Sequence, residues 1–228
     1  MARPLLLGHR GARASRQIPE NTLASFELCL QHGCDGFEFD VRRSRDGQAV
    51  ICHDATVGGI PIANTVATSL ALPTLEDVLR QFAHRAFLDI ELKVAGLEAQ
   101  TLTLLRTYPT LKGCVVSCFL PEVLTAIHEL DSAIALGFLC DSEDQLRGWR
   151  QSPAEWVIPH FKLADEELVK LVYAAGKRIM VWTVNLPERM REFAAWGADA
   201  IISDETELLS CSLRSLHCHC SLNSPHLH

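Results

Sequence analysis

Apolar positions along this chain gather into short runs that alternate with longer stretches in which apolar residues recur every three or four places. The first pattern is that of strands, the second that of amphipathic helices. Residues 5–9 read as a buried strand that stops at the charged, glycine-flanked run Gly8-His9-Arg10-Gly11. Asn21 or Thr22 then caps a helix carrying Leu23, Phe26 and Leu30, which Gly33 closes. In the next strand Glu38 and Asp40 share one face, while Phe37, Phe39 and Val41 share the other. Asp46-Gly47 supplies a turn, and the apolar run 49–52 leads back into His53-Asp54. Residues 55–73 read as a loop, and Thr74 to Asp77 opens a capped helix with Val78, Leu79 and Phe82.

From there the alternation is regular. Strands are expected at 86–92, 114–118, 134–139, 156–159, 179–184 and 200–202, with helices at about 97–107, 122–130, 143–149, 165–175 and 188–196. Eight of the predicted strands open a strand–helix unit, and the strand at 49–52 is left over as a hairpin excursion after strand 2. This pattern predicts an α/β fold, a closed (β/α)₈ TIM barrel, with an open doubly wound sheet as the alternative.

In such a barrel, chemistry belongs at the ends of strands. His9 closes the first, Glu38 and Asp40 the second, Glu91 and Lys93 the third, and Trp182 and Asn185 the seventh. Two carboxylates on one buried strand face repel unless a cation lies between them or one holds a proton. The plain alternative is an amphipathic hairpin whose carboxylates face water.

Composition narrows the picture. At 228 residues the chain suits one large domain, placed at 1–210. A net charge of -7 with scattered basic residues disfavours a nucleic-acid groove or an anionic membrane surface. No apolar run approaches the ~20 residues of a spanning helix, and the start does not read as a secretory signal, so no stable membrane insertion is expected. There are nine cysteines, an odd number. Cys29, Cys34, Cys52, Cys114, Cys118 and Cys140 lie in apolar segments and no CxxC occurs, which points to a reducing, cytoplasmic location. Residues 211–228 change character, with Cys and His crowded from His217 to Cys220. Adjacent residues cannot all reach one ion, so this stretch reads as a flexible or incidental tail in preference to a metal site. His32, His84, His128 and His160 read as structural.

Together, GHRGAR at 8–13, PENT at 19–22, EFDVRRSRDG at 38–47, HD at 53–54 and IELK at 90–93 resemble the glycerophosphodiester phosphodiesterase family. VVSCF at 115–119, VWTVN at 181–185 and GADAIISD at 197–204 are similar to the same family. The resemblance implies a distorted barrel that hydrolyses small glycerophosphodiesters to sn-glycerol 3-phosphate and an alcohol, using a divalent cation, Mg²⁺ or Ca²⁺. By that pattern His9 and His53 are the general acid–base pair, Glu38, Asp40 and Glu91 hold the metal, and Arg10 and Lys93 contact the phosphate. Glu20 is expected to orient the site, and Phe119 and Trp182 to line the substrate pocket. It further suggests that the substrate's own glycerol hydroxyl attacks, through a cyclic phosphate that water then opens.

The chemistry is consistent with these residues. Three carboxylates suit a hard cation, and paired imidazoles in opposite protonation states can take one proton and give another near neutral pH. The chain departs from the family form in a longer gap between HRG and PENT and in a short 55–73 segment, which implies a pocket without a lid. Competing readings are a lysophospholipase D-like activity on the same scaffold, or an inactive barrel that binds phosphate or metal. Glu91 and Lys93 as an ordinary ion pair, and Trp182 as a core aromatic, are the plain readings of those residues.

Overall fold

The structure, a computed structural model, describes residues 3–214. Its strands are β1 (Leu5–Gly8), β2 (Gly36–Arg43), β3 (Ala49–Ile51), β4 (Thr56–Val57), β5 (Ile60–Pro61), β6 (Phe87–Leu92), β7 (Cys114–Cys118), β8 (Leu136–Cys140), β9 (Trp156–Pro159), β10 (Arg178–Val181) and β11 (Ala200–Ser203). The helices are α1 (Leu23–Gln31), α2 (Leu75–Phe82), α3 (Glu98–Thr107), α4 (Pro121–Leu130), α5 (Glu143–Leu146), α6 (Glu166–Ala174), α7 (Pro187–Trp196) and α8 (Thr206–Arg214). The parallel strands run β1-β2-β6-β7-β8-β9-β10-β11 and close where β11 pairs with β1, a (β/α)₈ barrel. The strand β3 lies antiparallel on β2 outside the ring, as the hairpin reading expected.

Alternation along each strand divides the interior from the helical jacket. Leu7, Phe87, Val115, Trp156, Met180 and Ala200 pack inside the ring with Leu139, Ile158 and Ile202. Outward-facing Phe37 stacks on Phe26 of α1 with ring centres 4.3 Å apart and meets Phe82 of α2 edge-on at 5.1 Å. The inward face of β2 is left to Glu38 and Asp40, so the apolar layer stops where the carboxylates begin.

Several expected bounds move. The strand predicted over 179–184 ends at Val181, and the one predicted over 134–139 is shifted to Leu136–Cys140. The helix expected over 143–149 is a single turn, α5, beyond which Gly148 and Trp149 bond three residues back in tighter turns. Residues 55–73 are more ordered than a loop: β4 and β5 pair antiparallel, and 3₁₀ turns follow at Ile62–Asn64 and Ala67–Ser69. Thr22 caps α1 by accepting from the Ser25 N–H at 3.1 Å, which frees Asn21 for another task. Helix α8 runs through Cys211 and buries Leu213, so it spans the expected 210/211 boundary. The remainder of the Cys/His tail, 215–228, lies outside the described residues.

Candidate active site

The carboxylates Glu38, Asp40 and Glu91 are all buried, and each offers an oxygen within 4.8 Å of the others. Register explains the meeting: in the β2–β6 pairing Asp40 lies opposite Glu91, and Glu38 opposite Asp89. Four inward carboxylates thus share this wall with two cations. The Lys93 ammonium sits 3.2 Å from Asp40 Oδ1 and contacts Glu91, and Arg10 Nε is 3.2 Å from Asp40 Oδ2. Burial pushes Asp40 up, but Lys93, Arg10 and the Asn21 amide outweigh it and hold that carboxyl below its usual range. For the other three such compensation is weaker than burial, even for Glu91, which Lys93 also contacts. Burial, with Asp40 next, raises Glu38 well above the carboxylate range and Glu91 up to about 7. Burial carries Asp89 up to about 7 as well, against a 2.6 Å hydrogen bond from the Ser117 hydroxyl. Glu38 Oε1 and Asp89 Oδ2 are buried without a hydrogen-bond partner among the described residues, and Asp40 Oδ1 has only the Lys93 ammonium beside it. The wall is short of positive charge.

His9 follows β1 and donates or accepts through Nδ1 at 2.7 Å from Asp204 Oδ1, while Nε2 lies 3.9 Å from Glu38 Oε2. Asp204 also accepts from Asn185 Nδ2 at 2.7 Å and from Arg13 at 3.1 Å. Those three partners overcome burial and hold Asp204 well below the usual carboxylate range. An ionised Asp204 fixes the proton of His9 on Nδ1 and leaves the Nε2 lone pair toward the cavity. Burial lowers the pKa of His9 more than Asp204 raises it. His53 sits at the mouth with its Nδ1 2.7 Å from Asp54 Oδ1, and its backbone carbonyl accepts from Arg42 Nε at 2.7 Å.

The expected site residues converge. His9, Arg10, Glu38, His53, Glu91, Lys93, Phe119 and Trp182 line one cavity of about 260 Å³, together with Asp89, Leu139, Asp141 and Ile202. Glu20 stands behind it, accepting from Arg10 at 2.8 Å and from Arg13 at 2.6 Å, so it orients Arg10 from outside the cavity. Trp182 donates from Nε1 to the Ile158 carbonyl at 3.0 Å and meets Phe119 edge-on at 5.8 Å.

Sequence reasoning gave no part in the site to Asp204, Asn21 or Asp89, and offered Asn21 only as a helix cap. Asn21 holds Asp40 through both ends of its amide, donating to Oδ2 at 2.8 Å and accepting from the backbone N–H at 3.2 Å. It does so from φ 56°, a left-handed conformation that Asn tolerates. The available signals were the N in PENT and the final D in GADAIISD, both inside motifs already singled out.

The model of the glycerophosphoryl diester phosphodiesterase family matches residues 9–64 and 58–208. A glycerophosphodiester phosphodiesterase of Caldanaerobacter subterraneus subsp. tengcongensis is 27% identical, with 90% of this chain and 96% of that protein covered. Among solved structures, a phosphodiesterase of Oleispira antarctica in complex with the product sn-glycerol-3-phosphate is 26% identical at a TM-score of 0.81, covering 92% of this chain and 96% of that one. A protein of Silicibacter pomeroyi shares the fold at a TM-score of 0.84 and 21% identity, with 95% of each chain covered.

Proposed function

The chain belongs to the glycerophosphoryl diester phosphodiesterase family, and on that premise we propose that it hydrolyses glycerophosphodiesters to sn-glycerol 3-phosphate and an alcohol, with a divalent cation on Glu38, Asp40 and Glu91. The observation that carries this reading is the grouping of three buried carboxylates, two of which, Glu38 and Glu91, line one cavity together with two Asp-backed imidazoles while Asp40 lies behind them.

The donor set fits a cation. Glu38 Oε1 is a buried acceptor with no hydrogen-bond partner among the described residues, and an all-oxygen set suits Mg²⁺ or Ca²⁺. When bound, such an ion would offset the charge that builds on the phosphoryl oxygens. Arg10 and Lys93 add fixed positive charge on the same side, held in place by Glu20 and by Asp40 with Glu91. His9, neutral because it is buried, takes the first proton at Nε2 from the attacking glycerol hydroxyl, and Asp204 stabilises the imidazolium that results. His53, at the mouth, gives a proton to the departing alkoxide. The two exchange roles when water opens the cyclic phosphate.

The test is the purified chain with glycerophosphocholine, read by released glycerol 3-phosphate, with EDTA and then with Mg²⁺ or Ca²⁺ restored. Release that stops with EDTA and returns with the ion is expected. Release that survives EDTA removes the metal assignment, and no release under any condition removes the reading itself.

A further inference from the structure

Arg13 is not among the residues that line the cavity, yet it joins two of the groups that do. Its Nε donates to Glu20 Oε2 at 2.6 Å and its Nη1 to Asp204 Oδ1 at 3.1 Å. Each of those carboxylates holds one working side chain. Glu20 Oε1 accepts from Arg10 at 2.8 Å, and Asp204 Oδ1 lies 2.7 Å from His9 Nδ1. One guanidinium thus completes an unbroken run of contacts from the His9 imidazole through Asp204, Arg13 and Glu20 to Arg10.

The plain reading is a surface ion pair, since the Arg13 side chain is 39% exposed and such pairs are worth little. What usually cancels an exposed pair is the entropy of ordering a long side chain on a free backbone. Here the backbone is pinned on both sides: the Ala12 N–H donates to Ser25 Oγ at 2.9 Å, and the Ala14 N–H to the Asp204 carbonyl at 3.2 Å. The two acceptors also come from distant parts of the chain, so the fork of the guanidinium fixes one against the other. Burial pushes Glu20 up, but Arg10 and Arg13 outweigh it and hold that carboxyl below its usual range, so both acceptors of the bridge are ionised.

We propose that Arg13 is a positioning residue for the hydrolysis, bridging Asp204 and Glu20 so that the proton acceptor His9 and the phosphate-side Arg10 keep a fixed relation to each other. This rests on the phosphodiesterase reading above. Without the bridge Asp204 Oδ1 can shift off His9, which costs turnover, and Glu20 can swing Arg10, which costs substrate binding. Asn185 still holds Asp204 Oδ2 at 2.7 Å and Asp40 still faces Arg10 Nε at 3.2 Å, so each loss is partial. Arg13 itself touches neither the substrate nor the reacting atoms.

The experiment measures kcat and KM for glycerophosphocholine in the parent chain, in Arg13→Gln, and in Arg13→Gln combined with Glu20→Gln or with Asp204→Asn. Arg13 is exposed, so Arg13→Gln should fold as the parent does. It should lower kcat and raise KM, each by about 5-fold, the upper end for a pair this exposed. Added to Glu20→Gln, it should still lower kcat and leave KM where it stands; added to Asp204→Asn, it should still raise KM and leave kcat. An Arg13 that serves only the fold would reduce the active fraction, and hence kcat alone, with KM unmoved. That result, unchanged kinetics in Arg13→Gln, or losses that add in both double variants, overturns the bridge while leaving the hydrolytic reading intact. No hydrolysis by the parent chain would strike the underlying reading, and this inference with it.

Discussion

At the scale of single residues, the site depends on partners that make ordinary side chains reactive. In the proposed reaction His9 can serve as a base only if its proton stays on Nδ1, and the 2.7 Å contact with Asp204 would secure that. Asp204→Asn should therefore lower kcat by roughly 10² to 10⁴ with little change in KM, because an amide can hold the ring in the wrong tautomer. In a His9→Ala background the same substitution should cost less than about 3-fold, since groups that act as one unit are not additive. Additive losses would show that Asp204 serves the fold and not the imidazole. This pair also marks the limit of sequence reading. Alternation placed His9, Glu38, Asp40, Glu91 and Lys93 on strand ends, but no local pattern joins residues 9 and 204; only the closing register, Gly8 opposite Ser203, sets them side by side. The residue types were visible, and the pairing was not.

Elements were legible where one physical signal dominates. Period-two alternation and side-chain caps such as the reciprocal box of Thr74 and Asp77 on α2 mark strands and helices locally, so the eight ring strands and the helices α1 to α7 could be read from the chain, whereas α8 was not expected. Strand ends and the 55–73 segment were misread because they depend on neighbours: the strands within 56–61 form a ladder only with each other, and β10 leaves its ladder with β11 after Val181 although β11 runs on to Ser203. The β2–β6 contact, which sets the carboxylates, depends on Gly36. A Cβ there would lie 1.8 Å from the Phe87 carbonyl oxygen, and backbone cannot yield as a side chain does. Gly36→Ala should cost about 3 kcal/mol or more in urea melts, against about 1 kcal/mol for Thr74→Ala at the α2 cap. Equal costs would mean that the two strands are free to separate.

For the whole molecule, the carboxylate wall makes stability without a cation depend on pH in a direction opposite to the usual acid lability. Glu38, Asp89 and Glu91 all hold protons in the folded chain at pH values where the unfolded chain, with carboxyl pKa values of about 4, has released them. A raised carboxyl pKa means more protons bound when folded, so this contribution is intact below about pH 4 and is lost as pH rises through about 7. Asp40 and Asp204 work the other way, being depressed, and their contribution falls away only in acid. Between about pH 5 and 8 the lowered pKa values of His9 and His160 work against the first group, but three raised carboxyls outweigh them, and the Tm of EDTA-treated protein should fall across that interval. A divalent cation on Glu38, Asp40 and Glu91 should remove most of the fall, raising Tm strongly at about pH 8 and little at about pH 5. Glu91→Gln should flatten the profile of the cation-free chain and weaken the response to the ion. A Tm that climbs from about pH 5 to 8 without metal, or a cation effect of the same size at both ends, would mean that the buried carboxylates are neither mutually repelling nor the ion's ligands.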